Sequence, residues 1–404
     1  MKHLLMILDH FPPAFAPRMG YLCKYLKDMD WDAVALSSPH PTRNTGFEFL
    51  EGYAESHIVE NYSNRLGNLL YGLAKLRPLW TKTDEQMYPQ AKQLTAERHF
   101  DAIICSTASF FPLYCASRIA EETHLPLLID LRDIYEQDDN LQSHSWLSMQ
   151  LHKIQIKKRN EFLAKASAVS TVSTWHKELL SQFNANTTLI FNGFDSESFS
   201  FPQPVGTDKF TITYTGSIRV HKNQTQSPEL LFQTIEELVG NGVINKDQIV
   251  LRFYSDEPSL AFVKQLAEEH NLSFVVQCNG WCAANEIPQI LAKSNVLLLL
   301  LSESNTHGIL TTKLFEYMAA NREILCIPNS GGEVENILSQ ANAGCCIDSQ
   351  PELRNYLKFK YNEWQKNHFV EPHTERDFVV NFSRERQAMQ FVNILNNIIK
   401  TNNL

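Results

Sequence analysis

Lys313 and Glu316 stand one turn apart in a run that otherwise reads as a buried helix, His307-Gly308-Ile-Leu-Thr311-Thr312-Lys313-Leu-Phe-Glu316-Tyr-Met-Ala-Ala320. Thr311 and Thr312 offer hydroxyls that can cap that helix, and its first-turn N–H groups have no intrahelical partner. Such a start is suited to phosphate, and Lys313 adds positive charge. A carboxylate on a largely apolar helix needs a donor partner. For Glu316, ribose hydroxyls or a salt-bridging side chain would each serve. A second cationic stretch is Tyr214-Thr-Gly216-Ser217-Ile-Arg219-Val-His-Lys222. Glycine at a strand end lets backbone come close to a ligand. Arg219 and Lys222 could neutralise charge building on a leaving diphosphate; solvated loop cations are the alternative.

Three further clusters carry polar chemistry. Arg18 and Gly20 follow Pro17, a residue suited to a first helical turn. A guanidinium at a helix start favours phosphate or carboxylate, and an ordinary strand–helix loop is the other reading. There is no G-x-G-x-x-G, so a dinucleotide fingerprint is absent. Asp130-Leu-Arg132-Asp133-Ile-Tyr135-Glu136 gathers ionisable groups after an apolar run. Either they pair with one another as structural salt bridges, or Asp133 faces an acceptor while Arg132 orients it or the donor. Asn192-Gly193 suits a tight turn. Gly332-Glu333-Val-Glu335 reads equally as a plain helix start and as the border of a base or sugar pocket.

Elements that must position these residues follow from the alternation of apolar runs with helix-length segments. Strands are expected at 3–9, 32–37, 101–106, 126–130, 168–172 and 187–191, then at 210–216, 248–254, 273–278, 295–301 and 323–327. Continuous β-rich runs suit strands covered on both faces, and the alternation implies parallel sheets flanked by helices. Phe199-Ser-Phe-Pro-Gln-Pro-Val-Gly206 has two prolines, a glycine and no periodicity, and reads as a linker. Two Rossmann-like domains are therefore expected, over 1–205 and 206–379. Ligands of open parallel sheets bind at the strand carboxyl ends. That rule discounts Asp28, Asp30 and Asp32, which enter the second strand from the other edge, and no metal is expected there.

Composition narrows the class. The 404 residues exceed one ordinary core. A net charge of -9 argues against non-specific nucleic-acid binding, so no nucleic-acid partner is expected. The eight cysteines lie mostly in apolar runs and read as buried free thiols in a reducing compartment. Leu4 to Leu8 is too short for a secretory core, and no stretch approaches the ~20 apolar residues that span a bilayer. The expectation is a cytoplasmic protein without a cofactor. Arg65 to Lys82 mixes leucines and Trp80 with lysines and Arg77, and Lys153, Lys157, Lys158 and Arg159 form a second basic group. An interfacial helix at the inner face of the membrane would use such segments; packing of an amphipathic helix on a sheet is the more common explanation.

The order of these segments resembles the retaining glycosyltransferases of family 4. The likeness runs through Phe11 to Arg18, Asp130 to Asp133, Asn192 to Asp195, the spacing from Gly216 to Lys222, and Lys313 to Ala320. It implies a GT-B fold, with two Rossmann-like domains facing a central cleft. The second domain would hold a nucleotide-diphosphate sugar through Gly216, Ser217, Arg219, Lys222, His307, Gly308, Thr311, Thr312 and Lys313, with Glu316 on the ribose. Asp133 and Arg132 would serve a glycan or lipid-linked acceptor. The family's earlier glutamate falls at Gly308, and its usual arginine after the loop glycine falls at Ser217, with Arg219 as the compensating cation. Both departures occur in a subset resembling enzymes of surface-polysaccharide assembly. The resemblance further implies retention of configuration without a required metal, and a final helix, about 380–404, that returns to the first domain. A nucleotide-sugar epimerase of the same fold and a non-catalytic sugar-nucleotide-binding scaffold are the rival expectations.

Overall fold

The computed structural model describes residues 1–14, 17–39, 45–60, 66–67, 70, 81–108, 110–137, 146–218, 220–221, 224–302, 308–328 and 332–402. Two compact units make up the chain: Met1–Asn192 with Arg384–Leu404, and Gly193–Ser383.

In the first unit the strands are β1 (Lys2–Leu8), β2 (Trp31–Ser37), β3 (Glu55–Ile58), β4 (Ala102–Thr107), β5 (Leu127–Leu131), β6 (Ala168–Thr171) and β7 (Thr187–Leu189). They form one sheet in the order β3-β2-β1-β4-β5-β6-β7. Every pairing is parallel. Alternate β1 side chains feed two separate layers. Leu5 and Ile7 join one with Leu36, Cys105 and Leu163; Leu4, Met6 and Leu8 join the other with Met19, Leu22 and Phe391. A strand buried on both faces cannot alternate polar and apolar residues, which is why His-Leu-Leu-Met-Ile-Leu is continuous. Each such buried side chain contributes roughly 1.5–3 kcal/mol. The Arg384–Asn402 helix supplies Ala388, Phe391, Leu395 and Ile398 to the second layer.

The second unit holds β8 (Phe210–Thr215), a short antiparallel pair β9 (Val220–His221) and β10 (Gln224–Thr225), and then β11 (Ile249–Tyr254), β12 (Val276–Asn279), β13 (Val296–Leu300), β14 (Glu323–Ile327) and β15 (Gly344–Cys346). Its main sheet runs β12-β11-β8-β13-β14-β15, again parallel throughout. Both sheets reverse their winding direction beside their first strand, between β1 and β4 and between β8 and β13. Such switch points open a crevice at the strand carboxyl ends.

The compact units divide at Asn192/Gly193, where the sequence reading expected 205/206. The proline-rich stretch is not a free linker, because it is packed onto the second unit. Phe201 donates its N–H to the Ala319 carbonyl, and Arg322 donates to the carbonyls of Pro202 and Gln203. The Phe194 ring meets Phe201 edge-on at 5.8 Å. Among the described residues, no helix is long and apolar enough to cross a membrane.

Candidate functional site

At the second unit's switch point the chain leaves β8 through Gly216. Its φ of +97° is open to glycine and strained for other residues. The Gly216 N–H donates to the Tyr254 carbonyl at 2.8 Å, and its carbonyl accepts from Ser255 Oγ at 2.9 Å. A Cβ at this position would stand 2.5 Å from Lys313 Cε and 2.7 Å from Lys313 Nζ. The backbone does make a close approach here, but to Lys313 rather than to open space. Lys313 Nζ donates to the Tyr214 hydroxyl at 3.0 Å and lies 4.5 Å from the centre of its ring. The Gly216 turn and the start of the Thr312–Ala319 helix are thus in contact through one lysine.

Thr311 caps that helix from extended backbone, with its hydroxyl facing the Lys313 N–H at 3.4 Å. Thr312 opens the first turn, and Glu316 is half-buried on the next. Behind it, Tyr317 is buried with its hydroxyl on the Thr215 N–H at 3.1 Å, and burial pushes its pKa up to about 12. Ser217 is exposed and donates to Asp256. Asp256 also accepts from the Ser259 N–H at 3.0 Å, capping the Glu257–Glu269 helix. Burial pushes this carboxyl upward, but the hydrogen bonds from Ser217 and Ser259 and the charge of Lys313 outweigh it, and its pKa falls below the usual value. Gly308 is buried with φ +76°. His307, Arg219 and Lys222 lie outside the described residues.

The first unit's strand ends are built differently. Arg18 is 4% exposed and Asp130 is fully buried. Arg18 Nε and Nη2 each meet an Asp130 oxygen at 3.2 Å, and further N–H groups reach the carbonyls of Ile190 and Phe191. Ser106 and Ser170 hydroxyls complete the carboxylate at 2.7 and 2.8 Å. The Arg18 guanidinium, expected from the sequence to offer its charge to a phosphate, meets a carboxylate and two carbonyls inside the unit. Gly20, beside it in the sequence expectation, sits in close packing. A Cβ there would stand 2.5 Å from Pro12 Cγ and 3.1 Å from Leu50, so the glycine is needed for packing.

Arg132 Nη2 reaches Asp9 at 2.6 Å, and Asp9 accepts the Ala108 N–H at 2.9 Å and the His10 N–H at 2.7 Å. The carboxyl ends of β1, β4 and β5 are tied together by this one carboxylate. Asp133 is exposed and accepts from the Gln137 side-chain amide at 2.8 Å. Glu136 takes two 2.7 Å bonds from the buried Arg159. Sequence reasoning did not single out Asp9, Gln137, His176 or Asp256 for these positions. Asp9 and Asp256 carry a usable signal, an acidic residue at or just past the end of a buried strand.

No protein-family model matches the chain, and no curated protein does. Solved structures do. The chain is similar to the HepE protein of Anabaena, crystallised with UDP, at 14% identity over 98% of this chain and 100% of that one, with a TM-score of 0.67. A glycosyltransferase from Rickettsia africae matches at 15% identity over 99% of each chain, with a TM-score of 0.67. A sucrose-phosphate synthase from Thermosynechococcus elongatus matches at 15% over 99% and 100%, with a TM-score of 0.69. The chain has the fold of these enzymes, GT-B.

Proposed function

We propose that the chain is a glycosyltransferase that takes a sugar from a nucleotide-diphosphate donor. The observation that carries the reading is the meeting of Gly216 and Lys313 at the β8/β13 switch point, where a cation, the amino end of a helix and threonine hydroxyls stand together. That combination suits a diphosphate, since the positive end of a helix dipole and a lysine both favour negative charge. HepE, which shares the fold, has been crystallised with UDP-glucose as well as UDP, which supports a uridine donor. In this reading the second unit holds the donor, with Thr311, Thr312, Lys313 and Gly308 near the phosphates, Glu316 on the ribose, and Arg219, Lys222 and His307 from the neighbouring loops. The first unit holds the acceptor, with Asp133 towards its hydroxyl and Arg132 held by Asp9 beside it.

The transfer is taken to retain anomeric configuration and to move a hexose without a metal, onto a glycan or lipid-linked acceptor of surface-polysaccharide synthesis. The place of work is the cytoplasm, at the inner membrane face for a lipid-linked acceptor. A thermal-shift series with UDP, UDP-glucose, GDP-mannose and ADP-glucose tests the donor step. UDP and UDP-glucose are expected to raise the melting temperature; no shift with any nucleotide removes the proposal. Isomerisation of UDP-glucose without transfer would select an epimerase instead.

A further inference from the structure

We propose that Gln137 and His176 are positioning residues that hold the Asp133 carboxylate in one orientation, a role that rests on the reading of Asp133 as the acceptor-side group. The deduction starts at the carboxylate. An ionised carboxylate only accepts, so the atom of Gln137 facing Asp133 Oδ1 at 2.8 Å must be the amide nitrogen. That fixes which way the amide points. Its oxygen is turned to His176, whose Nε2 lies 2.7 Å away. A carbonyl oxygen cannot donate, so His176 Nε2 must carry the hydrogen.

The rest of the ring agrees. His176 is fully buried and its Nδ1 has no hydrogen-bond partner. A bare lone pair is the less costly occupant of such a place than a second N–H, so the imidazole is neutral. Burial is the main cause that pushes its pKa down to about 4. The ring is itself held in place. Its backbone N–H donates to Ser173 Oγ at 3.2 Å, the cap of the Thr174–Leu180 helix. Glu136, next to Gln137 in the chain, is locked to Arg159 by the two bonds described above. Gln137 therefore joins an exposed carboxylate to the unit's interior. A glutamine whose amide can turn over would present its oxygen to Asp133 and repel it. His176 prevents that by accepting only one orientation of its neighbour.

The test uses the full chain labelled with nitrogen-15 histidine, whose ring nitrogens report the tautomer. His176, assigned with His176→Gln, is expected to be a neutral Nε2–H ring between about pH 6 and 8. Asp133→Ala removes the acceptor that orients the Gln137 amide and is expected to shift the His176 Nε2 resonance, because its hydrogen-bond partner is loosened. An Nδ1–H ring in the parent protein, or a His176 spectrum indifferent to Asp133→Ala, overturns the linkage. Turnover of UDP-glucose onto water is the second readout. Gln137→Leu and His176→Phe are expected to lower it roughly tenfold with UDP affinity unchanged. Gln137→Glu keeps the shape but sets two carboxylates side by side, and moves the acid limb of the rate profile to higher pH; a merely structural contact would leave that limb where it was. If Asp133→Asn abolishes turnover while the Gln137 and His176 variants behave as the parent, the positioning role falls and the reading of Asp133 stands. If Asp133→Asn turns over as the parent does, that reading falls and takes this proposal with it.

Discussion

The strand ends of the two units handle positive charge in opposite ways. In the first unit two buried guanidiniums are matched to carboxylates: Arg18 to Asp130 and Arg159 to Glu136. Half-buried Arg132 is matched to Asp9. In the second unit Lys313 is laid on the ring and hydroxyl of Tyr214 and against Gly216, with Asp256 near enough to feel its charge. A buried ion pair with its hydrogen bonds filled contributes shape and has little charge left for a ligand. A lysine resting on a neutral hydroxyl and an aromatic face is held there by the weaker pull of the ring quadrupole. Cations of the first kind organise a site, and those of the second kind can bind an anion.

Several substitutions can break or sharpen that contrast. Arg18→Ala leaves Asp130 buried without its partner and should cost about 3–5 kcal/mol of stability in urea unfolding. UDP affinity, measured on the folded fraction, should stay as it was; a stable Arg18→Ala protein that has lost UDP binding would move Arg18 into the donor site. Glu316→Ala should lower kcat/KM for the donor about a hundredfold, close to 2.7 kcal/mol, if the carboxylate carries ribose hydroxyls. Unchanged kinetics would make Glu316 a structural residue of its helix.

His176 gives the contrast a pH signature. Its pKa is lowered from an ordinary 6.5 to about 4 in the folded protein. The unfolded chain therefore binds the extra proton between those values, and stability is full above pH ~6.5 and declines as the pH falls towards ~4. Unfolding free energies at pH 7 and pH 5 should differ by roughly 2 kcal/mol through this residue, and His176→Gln should remove that part of the slope. The smallest effect is expected for Tyr214→Phe, which removes one hydrogen bond from Lys313 but keeps the ring. A loss of about 1 kcal/mol in donor binding is expected by calorimetry, several-fold in affinity.

What the residues disclosed in advance was the layout of the sheets. Strands such as β1, β4 and β13 carry continuous apolar runs because both faces are covered, and that signal is strong. The Gln350–Asn367 helix escaped notice because it buries a thin stripe, Leu353, Leu357, Tyr361 and Trp364, among lysines, asparagines and glutamines. Strand β3 escaped because it is a partly exposed edge, Glu-Ser-His-Ile, with no apolar alternation. The site was legible as positions and not as partners. Gly216 and Lys313 could each be singled out locally, yet their contact depends on two separate loops meeting. Arg18 looked available because Asp130, 112 residues along the chain, gives no local hint that it is the counter-ion. Partners that distant are brought together by the strand order, which local spacing does not encode.

The Arg384–Asn402 helix adds a timing constraint to how this chain acquires its structure. Phe391, Leu395 and Ile398 belong to the layer that covers β1, so a ribosome must translate past Ile398 before the earliest-made strand receives its lid. The intervening segment, 193–383, has all its own strands by then and is free to fold first. Such an order reverses the usual amino-first sequence of domain folding. It leaves the hydrophobic face of the first sheet needing protection for as long as the second unit takes to be synthesised.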